Sequence, residues 1–220
     1  MSGPPKLHAD DLPAAFPVFP LTGALLLPRG RLPLNIFEPR YLAMTEDAMA
    51  HGRMFGMVQP DSSRPRLAAG PSLYRIGCLG RLSSFCETED GRFLITLTGL
   101  CRFTIVEELE PTRGYRRARA AFGAFLGDLE PSEAPGFERE EMLAALRGYF
   151  AHRGFDANWD AIGQMNDEML LITLAMVCPF EPAEKQALLE APTPTARAET
   201  LLALLRIDTH DTGPDRARAS

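Results

Sequence analysis

The sequence predicts an α+β protein, with a β-rich N-terminal unit carrying one short helix, then a helical C-terminal unit. Three observations lead there. Residues 16–125 hold short extended apolar runs, several of them alternating, broken by glycine and proline as strands are. Residues 127–136 (GDLEPSEAPG) shift abruptly to an acidic, proline-rich composition. Beyond them apolar residues recur at helical spacing. The organisation read from this is a flexible N-terminus at 1–11, a β-rich subdomain at 12–126, a linker at 127–136, a helical subdomain at 137–208 and a flexible tail at 209–220.

The stretch from Phe16 to Tyr41 (FPVFPLTGALLLPRGRLPLNIFEPRY) organises the first unit. It is strongly apolar yet carries Pro17, Pro20, Pro28, Pro33 and Pro39. Proline lacks the N–H a central strand needs, so the stretch reads as short extended pieces bending around a small barrel. Pro28-Arg29-Gly30 marks the sharpest turn, with Gly30 expected at positive φ. Pro39 then opens a helix at its first position, where a missing N–H costs nothing. Its inward face is Tyr41, Leu42, Met44, Ala48 and Met49, and Gly52 ends it.

Arg53–Gln59 reads as a strand and the segment 60–65 as a loop. Leu73–Glu87 is a strand region whose Gly77 and Gly80 signal bends or bulges. Thr88-Glu89-Asp90-Gly91 is a hairpin turn. Arg92–Leu100 alternates, Gly99 interrupts, Cys101–Leu109 continues, and Tyr115–Phe125 makes the last strand. In the helical unit, Phe137–His152 aligns Met142, Leu143, Leu146, Tyr149 and Phe150 on one stripe. Asn166 or Asp167 caps a helix over Glu168–Cys178, Pro182–Leu189 forms a short one, and Pro194 starts another reaching Ile207.

The chain has 220 residues, 29 acidic and 23 basic, for a net charge of −6. That balance argues against broad nucleic-acid binding, which needs a basic surface. The first eleven residues lack the apolar run of a signal peptide, and no stretch approaches the roughly 20 apolar residues of a membrane span. A cytoplasmic location is expected. Cys78, Cys86, Cys101 and Cys178 form no CxxC pair and read as small buried hydrophobes in a reducing compartment.

The run FPVFPL…LLLPRGRLPLNIFEPRYLAM, with RMFGMVQ at 53–59, YRIGCLGRLSSFCETEDGRFLITLTGLCRFTIVEE at 74–108 and PFEPAEKQALLEAPTPTARAETLLALL at 179–205, resembles the N-terminal substrate-binding domain of Lon-type ATP-dependent proteases. It is most similar to the stand-alone bacterial proteins of that family. The resemblance implies a PUA-like pseudo-barrel ahead of a helical bundle. It also implies a non-catalytic, proteolysis-related, protein-binding module.

No G-x-x-x-x-G-K-[ST] loop is present; neither Lys6 nor Lys185 follows a glycine loop. No ATPase or peptidase part is therefore expected, nor a cofactor. His8, His51, His152 and His210 lie at no metal-ligand spacing, so no metal is expected. A hydrolase built on a cysteine and a histidine is disfavoured, because strand cysteines are poised for burial.

Two clusters are candidates for binding. Glu38, Arg40 and Tyr41, with Met54, Phe55 and Met57, either line a groove for an extended polypeptide or serve structure: Glu38 at the helix start, Arg40 in an ion pair, Tyr41 and the methionine run in the core. The basic segment Arg113–Arg119 offers Tyr115, Arg116, Arg117 and Arg119 either to RNA, as in RNA-binding PUA-like folds, or as an edge strand guarded by charge. The acidic balance favours the second. The expected partner is a polypeptide or a protease-related protein, with RNA binding or docking on a full protease as alternatives.

Overall fold

The computed structural model describes residues 7–67, 70–131 and 135–210. The flexible ends expected at 1–11 and 209–220 therefore lie mostly outside the described residues. Of the former, Ala9–Asp11 form a 3-10 turn. The chain divides into two compact units, 1–131 and 132–220.

The first unit is built on β1 (Ala15–Pro20), β2 (Arg31–Ile36), helix α1 (Pro39–Ala50), β3 (Met54–Val58), β4 (Ile76–Glu87), β5 (Phe93–Thr112) and β6 (Tyr115–Ala121). The strand order is β2-β5-β4-β3-β1-β6, and β6 also pairs with β5. That second pairing closes β5-β4-β3-β1-β6 into a ring, to which β2 is added at one side. Closure depends on the length of β5. Its first part pairs with β2 and β4 over 93–98, and its last part with β6 over 104–112. Register shifts at Leu79/Gly80 and Ile105/Glu107 supply the bends.

The expected break at Gly99 does not occur, since β5 runs through it. Gly99 is there for a close approach: a β-carbon on it would lie 2.0 Å from the Leu27 carbonyl oxygen. Backbone bonds from Arg29 N to Gly99 O (2.8 Å) and from Gly99 N to Gly30 O (2.9 Å) hold the loop on the strand. Leu25, Leu26 and Leu27 are thereby buried without being in a strand. The left-handed residue of this turn is Arg29 (φ 64°), not Gly30. Its guanidinium donates to the carbonyl of Asp128 at 2.9 Å, which gives the strained residue a tether.

Phe16, Val18, Val58, Leu73, Leu79, Phe103, Ile105 and Ala118 fill the ring's interior. Helix α1 packs on β1, β3 and β6, where Tyr41 meets Phe19 with ring centroids 4.2 Å apart. The proline-rich segment expected as a linker from Gly127 begins inside a 3-10 element, Gly123–Leu129, that packs on β5. Its Asp128 accepts from Arg102 through both carboxylate oxygens at 2.9 Å; Arg102 is buried and Asp128 nearly so.

The second unit contains α2 (Arg139–Arg153), α3 (Trp159–Gln164), α4 (Asp167–Val177), α5 (Pro182–Glu190) and α6 (Pro194–His210). Asn158, Asn166 and Thr193 side chains accept from the backbone N–H three residues on, which caps α3, α4 and α6. Met142, Leu146 and Tyr149 of α2 and Leu201 and Leu205 of α6 are buried where the two helices pack. Helix α3 escaped the sequence reading because six residues hold too little periodicity. No helix among the described residues is long and apolar enough to cross a membrane.

Candidate functional site

The outer face of β1 and β6, the end of α1 and the β5–β6 hairpin enclose a cleft of about 600 Å³. Its walls combine apolar Phe16, Pro17 and Met54 with Asp47, His51, Arg113, Tyr115 and Arg117. Antiparallel pairing of Pro17 with Arg117 brings the β1 and β6 walls side by side. Residues from the two candidate clusters, Met54 from one and Tyr115 and Arg117 from the other, thus meet in one place.

Asp47 organises the polar side. It sits in the last turn of α1, where the helix dipole disfavours a carboxylate. Two donors compensate, and a third bond steadies one of them. Tyr115 Oη donates to Oδ2 at 2.8 Å, Arg113 Nη1 donates to Oδ1 at 2.7 Å, and Arg113 Nη2 reaches Glu46 at 2.6 Å. Burial would raise the Asp47 carboxyl, but the bonds from Tyr115 and Arg113 outweigh it and hold the group below its ordinary value. Burial first, and the Asp47 bond and charge after it, push the Tyr115 hydroxyl up to about 12. His51 donates from Nδ1 to the Asp47 carbonyl at 2.8 Å.

The four basic-strand candidates part company. Tyr115 is buried with its hydroxyl committed, so it offers no open face to a base. Arg116 is buried, bonded to Glu108 (2.8 Å through Nε) and to the Pro71 carbonyl. Arg119 pairs with Glu107 at 3.2 Å. Arg117 lines the cleft, half-buried, and forms no ion pair among the described residues. The strand they share is not an edge, because β6 pairs with β1 on one side and β5 on the other. The edge is β2, which pairs with β5 alone and whose Pro33 is exposed.

The other cluster is mostly interior. Phe55, Met57 and Tyr41 are buried, which puts them out of a ligand's reach; Met54 is half-buried at the cleft. Glu38 and Arg40 bond each other at 2.8 Å on the surface, and Arg40 stacks on Tyr41 at 4.5 Å. The sequence reading missed Asp47, His51 and the Arg113 pairing. Asp47 and its partners Arg113 and Tyr115 lie 66–68 residues apart, so no local spacing announces that pairing.

A second surface lies at the β2 end of the sheet. The outer part of β4, Ser83–Glu87, is exposed, and so are Phe37 (62%), Leu94 (45%) and Phe85 (39%). Leu94 lies in register with Asn35 and Cys86, whereas Phe85 aligns with Ile95 and Leu34. Opposed residues share a face, so apolar side chains emerge on both faces of this ribbon. Cys86, expected to be buried, is exposed for the same reason. Cys78, Cys101 and Cys178 are buried; burial pushes the thiols of Cys101 and Cys178 up to about 12. Among the described residues no group of three or more His, Cys, Asp or Glu side chains is placed to hold a metal.

The family model of the ATP-dependent protease La (LON) substrate-binding domain matches residues 15–206. The chain belongs to that family. It is 27% identical over 118 residues to the Lon protease of Anaeromyxobacter dehalogenans, covering 53% of this chain and 14% of that one. Lon protease 2 of Sorangium cellulosum is 30% identical over 122 residues, with 53% and 14% covered. The chain thus matches about a seventh of the length of these curated relatives. Among solved structures, a Lon N-terminal domain protein from Xanthomonas campestris superposes with a TM-score of 0.57 at 24% identity, over 86% of this chain and 97% of that one. The N-terminal domain of Mycobacterium avium complex Lon protease gives 0.56 at 15% identity, over 87% and 98%. Both likenesses are of fold.

Proposed function

We propose that this Lon substrate-binding-domain chain is a non-catalytic polypeptide-recognition module of PUA-like fold, working in the cytoplasm. One observation carries the reading. The β2 edge is open, and exposed Phe37, Phe85 and Leu94 stand beside it. An extended polypeptide gains backbone hydrogen bonds from a strand edge whatever its sequence, and apolar contacts from the ribbon. Pro33 removes one donor from β2, which favours a short, reversible pairing over unlimited sheet growth. The relatives' family description, a substrate-binding domain, agrees with it.

An RNA-binding reading has less support. Arg113, Arg116 and Arg119 are each neutralised by a carboxylate, so the basic segment that suggested RNA has little charge left to displace counterions from phosphate. Fluorescence anisotropy with a labelled, permanently unfolded polypeptide decides between them. Repeated at two salt concentrations and with excess structured RNA, saturable binding is expected to survive both changes. Binding to RNA alone, abolished by salt, would overturn the polypeptide reading.

A further inference from the structure

We infer that the cleft between α1, β1 and β6 is a subsite for the C-terminal end of a polypeptide, with Arg117 receiving the terminal carboxylate and the half-buried Pro17 and Met54 receiving an apolar last side chain. The inference rests on the polypeptide reading for the nature of the ligand, but not on the β2 ribbon for its place.

The charges around the cleft are otherwise spoken for. Arg113 is held by Glu46 and Asp47, Arg116 by Glu108 and Arg119 by Glu107. Asp47 is in turn engaged by Tyr115 and Arg113. Arg117, beside them on the cleft wall, has no carboxylate partner among the described residues. A half-buried guanidinium next to apolar walls is incompletely solvated, and a planar anion able to take two parallel N–H bonds is its best complement.

The cleft also selects the kind of anion. One unmatched cation suits a single negative charge. A phosphate, with about −1.5 to −2 charges, would place its excess near the Asp47 carboxylate. The volume of about 600 Å³ exceeds what one small anion occupies, and lies within the roughly 300–1,000 Å³ of ordinary ligand sites. A chain terminus satisfies both halves, since it joins one carboxylate to an adjacent apolar side chain.

The test uses the full chain and two labelled peptides of one unstructured sequence ending in Leu-Leu, one with a free terminal carboxylate and one amidated. A charge-assisted bond of ordinary strength predicts at least about tenfold tighter binding of the acid. Arg117→Gln should bring that ratio to about one, and Arg117→Lys should retain part of it. Arg117 is half-buried and without ion-pair partners among the described residues, so both variants are expected to fold, which circular dichroism checks. Equal affinity for acid and amide in the unaltered chain, or a preference that survives Arg117→Gln, would overturn the inference. An internal unfolded polypeptide, blocked at both ends, is run in parallel. If it binds while acid and amide do not differ, the end subsite fails alone; if it too fails to bind, the polypeptide reading falls with it.

Discussion

Tyr115 Oη donates to Asp47 Oδ2 at 2.8 Å, tying strand β6 to the last turn of helix α1. Its two partners titrate at opposite ends of the pH scale, so one bond shapes both limbs of the stability profile. The Asp47 carboxyl is held below its ordinary value of 3.8, so its contribution is complete above that value and is lost as pH falls through the lower, folded one. The Tyr115 hydroxyl is raised from 10.0 to about 12, so its contribution is complete below 10 and is lost as pH rises towards 12. Asp47→Asn should flatten the acid limb in urea midpoints taken across pH, and shallow the alkaline limb and lower the Tyr115 absorbance midpoint only in part, because burial of the hydroxyl remains. Tyr115→Phe should remove its alkaline limb and weaken the acid one, part of which remains because Arg113 still holds Asp47. An Asp47→Asn profile matching the unaltered chain would refute the coupling.

Gly99 tests the loop at 25–30. The β-carbon of alanine at this position would meet backbone atoms of Leu27 at 2.0 and 2.7 Å, and backbone cannot swing aside as a side-chain tip can. Gly99→Ala should therefore destabilise by at least the upper part of the roughly 1–3 kcal/mol typical of overpacking. Gly91→Ala is the control: it too replaces a glycine, but its β-carbon meets nothing within 4 Å and only its φ of 77° opposes the change. Urea denaturation should show a clearly larger loss at Gly99. Equal losses would mean that the loop yields and the close approach is not a constraint.

How far the sequence could be read depends on the range of the interactions. Helices α1, α2, α4, α5 and α6 were legible because their caps and stripes lie within a few residues, as at Asn166 and Pro194. The β-rich unit was legible from alternation. Its closure was not, since β5–β6 and β1–β6 pairing is a property of strands brought together in space. For the same reason Arg113–Arg119 looked like one basic patch, although Glu46, Asp47, Glu107 and Glu108 neutralise three of its arginines. Met54 and Arg117 were each picked out, for different ligands, and only the fold puts them in one cleft. The Leu25–Leu27 run was plainly apolar, yet nothing local says that it is buried as a loop.

The pair of Arg102 and Asp128 fastens the 3-10 element at 123–129 to β5. Asp128 accepts from the Arg102 backbone N–H as well as from its guanidinium, and Arg102 stacks on Phe125 at 4.7 Å. Deleting one member leaves the other charge buried and unmatched, at a cost of about 3–5 kcal/mol. Asp128→Ala and Arg102→Met should each cost about that much, and the double variant much less than their sum. Additive losses in a double-mutant cycle would show that the two side chains act separately and that the segment is held by other contacts.

Leu94 is the cleanest probe of the apolar ribbon. Phe85 packs edge-on against Phe93 with centroids 4.9 Å apart, so changing it disturbs the fold as well as the surface. Phe37 is exposed, with the Arg92 guanidinium over its ring at 5.9 Å, and Leu94 stands out between Asn35 and Cys86. Neither residue supports the interior, so Leu94→Ser and Phe37→Ser should move stability by no more than about 0.5 kcal/mol. A ligand covering either side chain recovers up to about 1.5–3 kcal/mol of apolar burial, so each change should weaken binding of unfolded polypeptide by roughly 5- to 100-fold. Arg117→Gln should leave that affinity intact when the polypeptide's ends are blocked, because the cleft and the ribbon act on different parts of a chain. Unchanged affinity in both serine variants would move the recognition surface away from β2, even if the protein still bound unfolded chains.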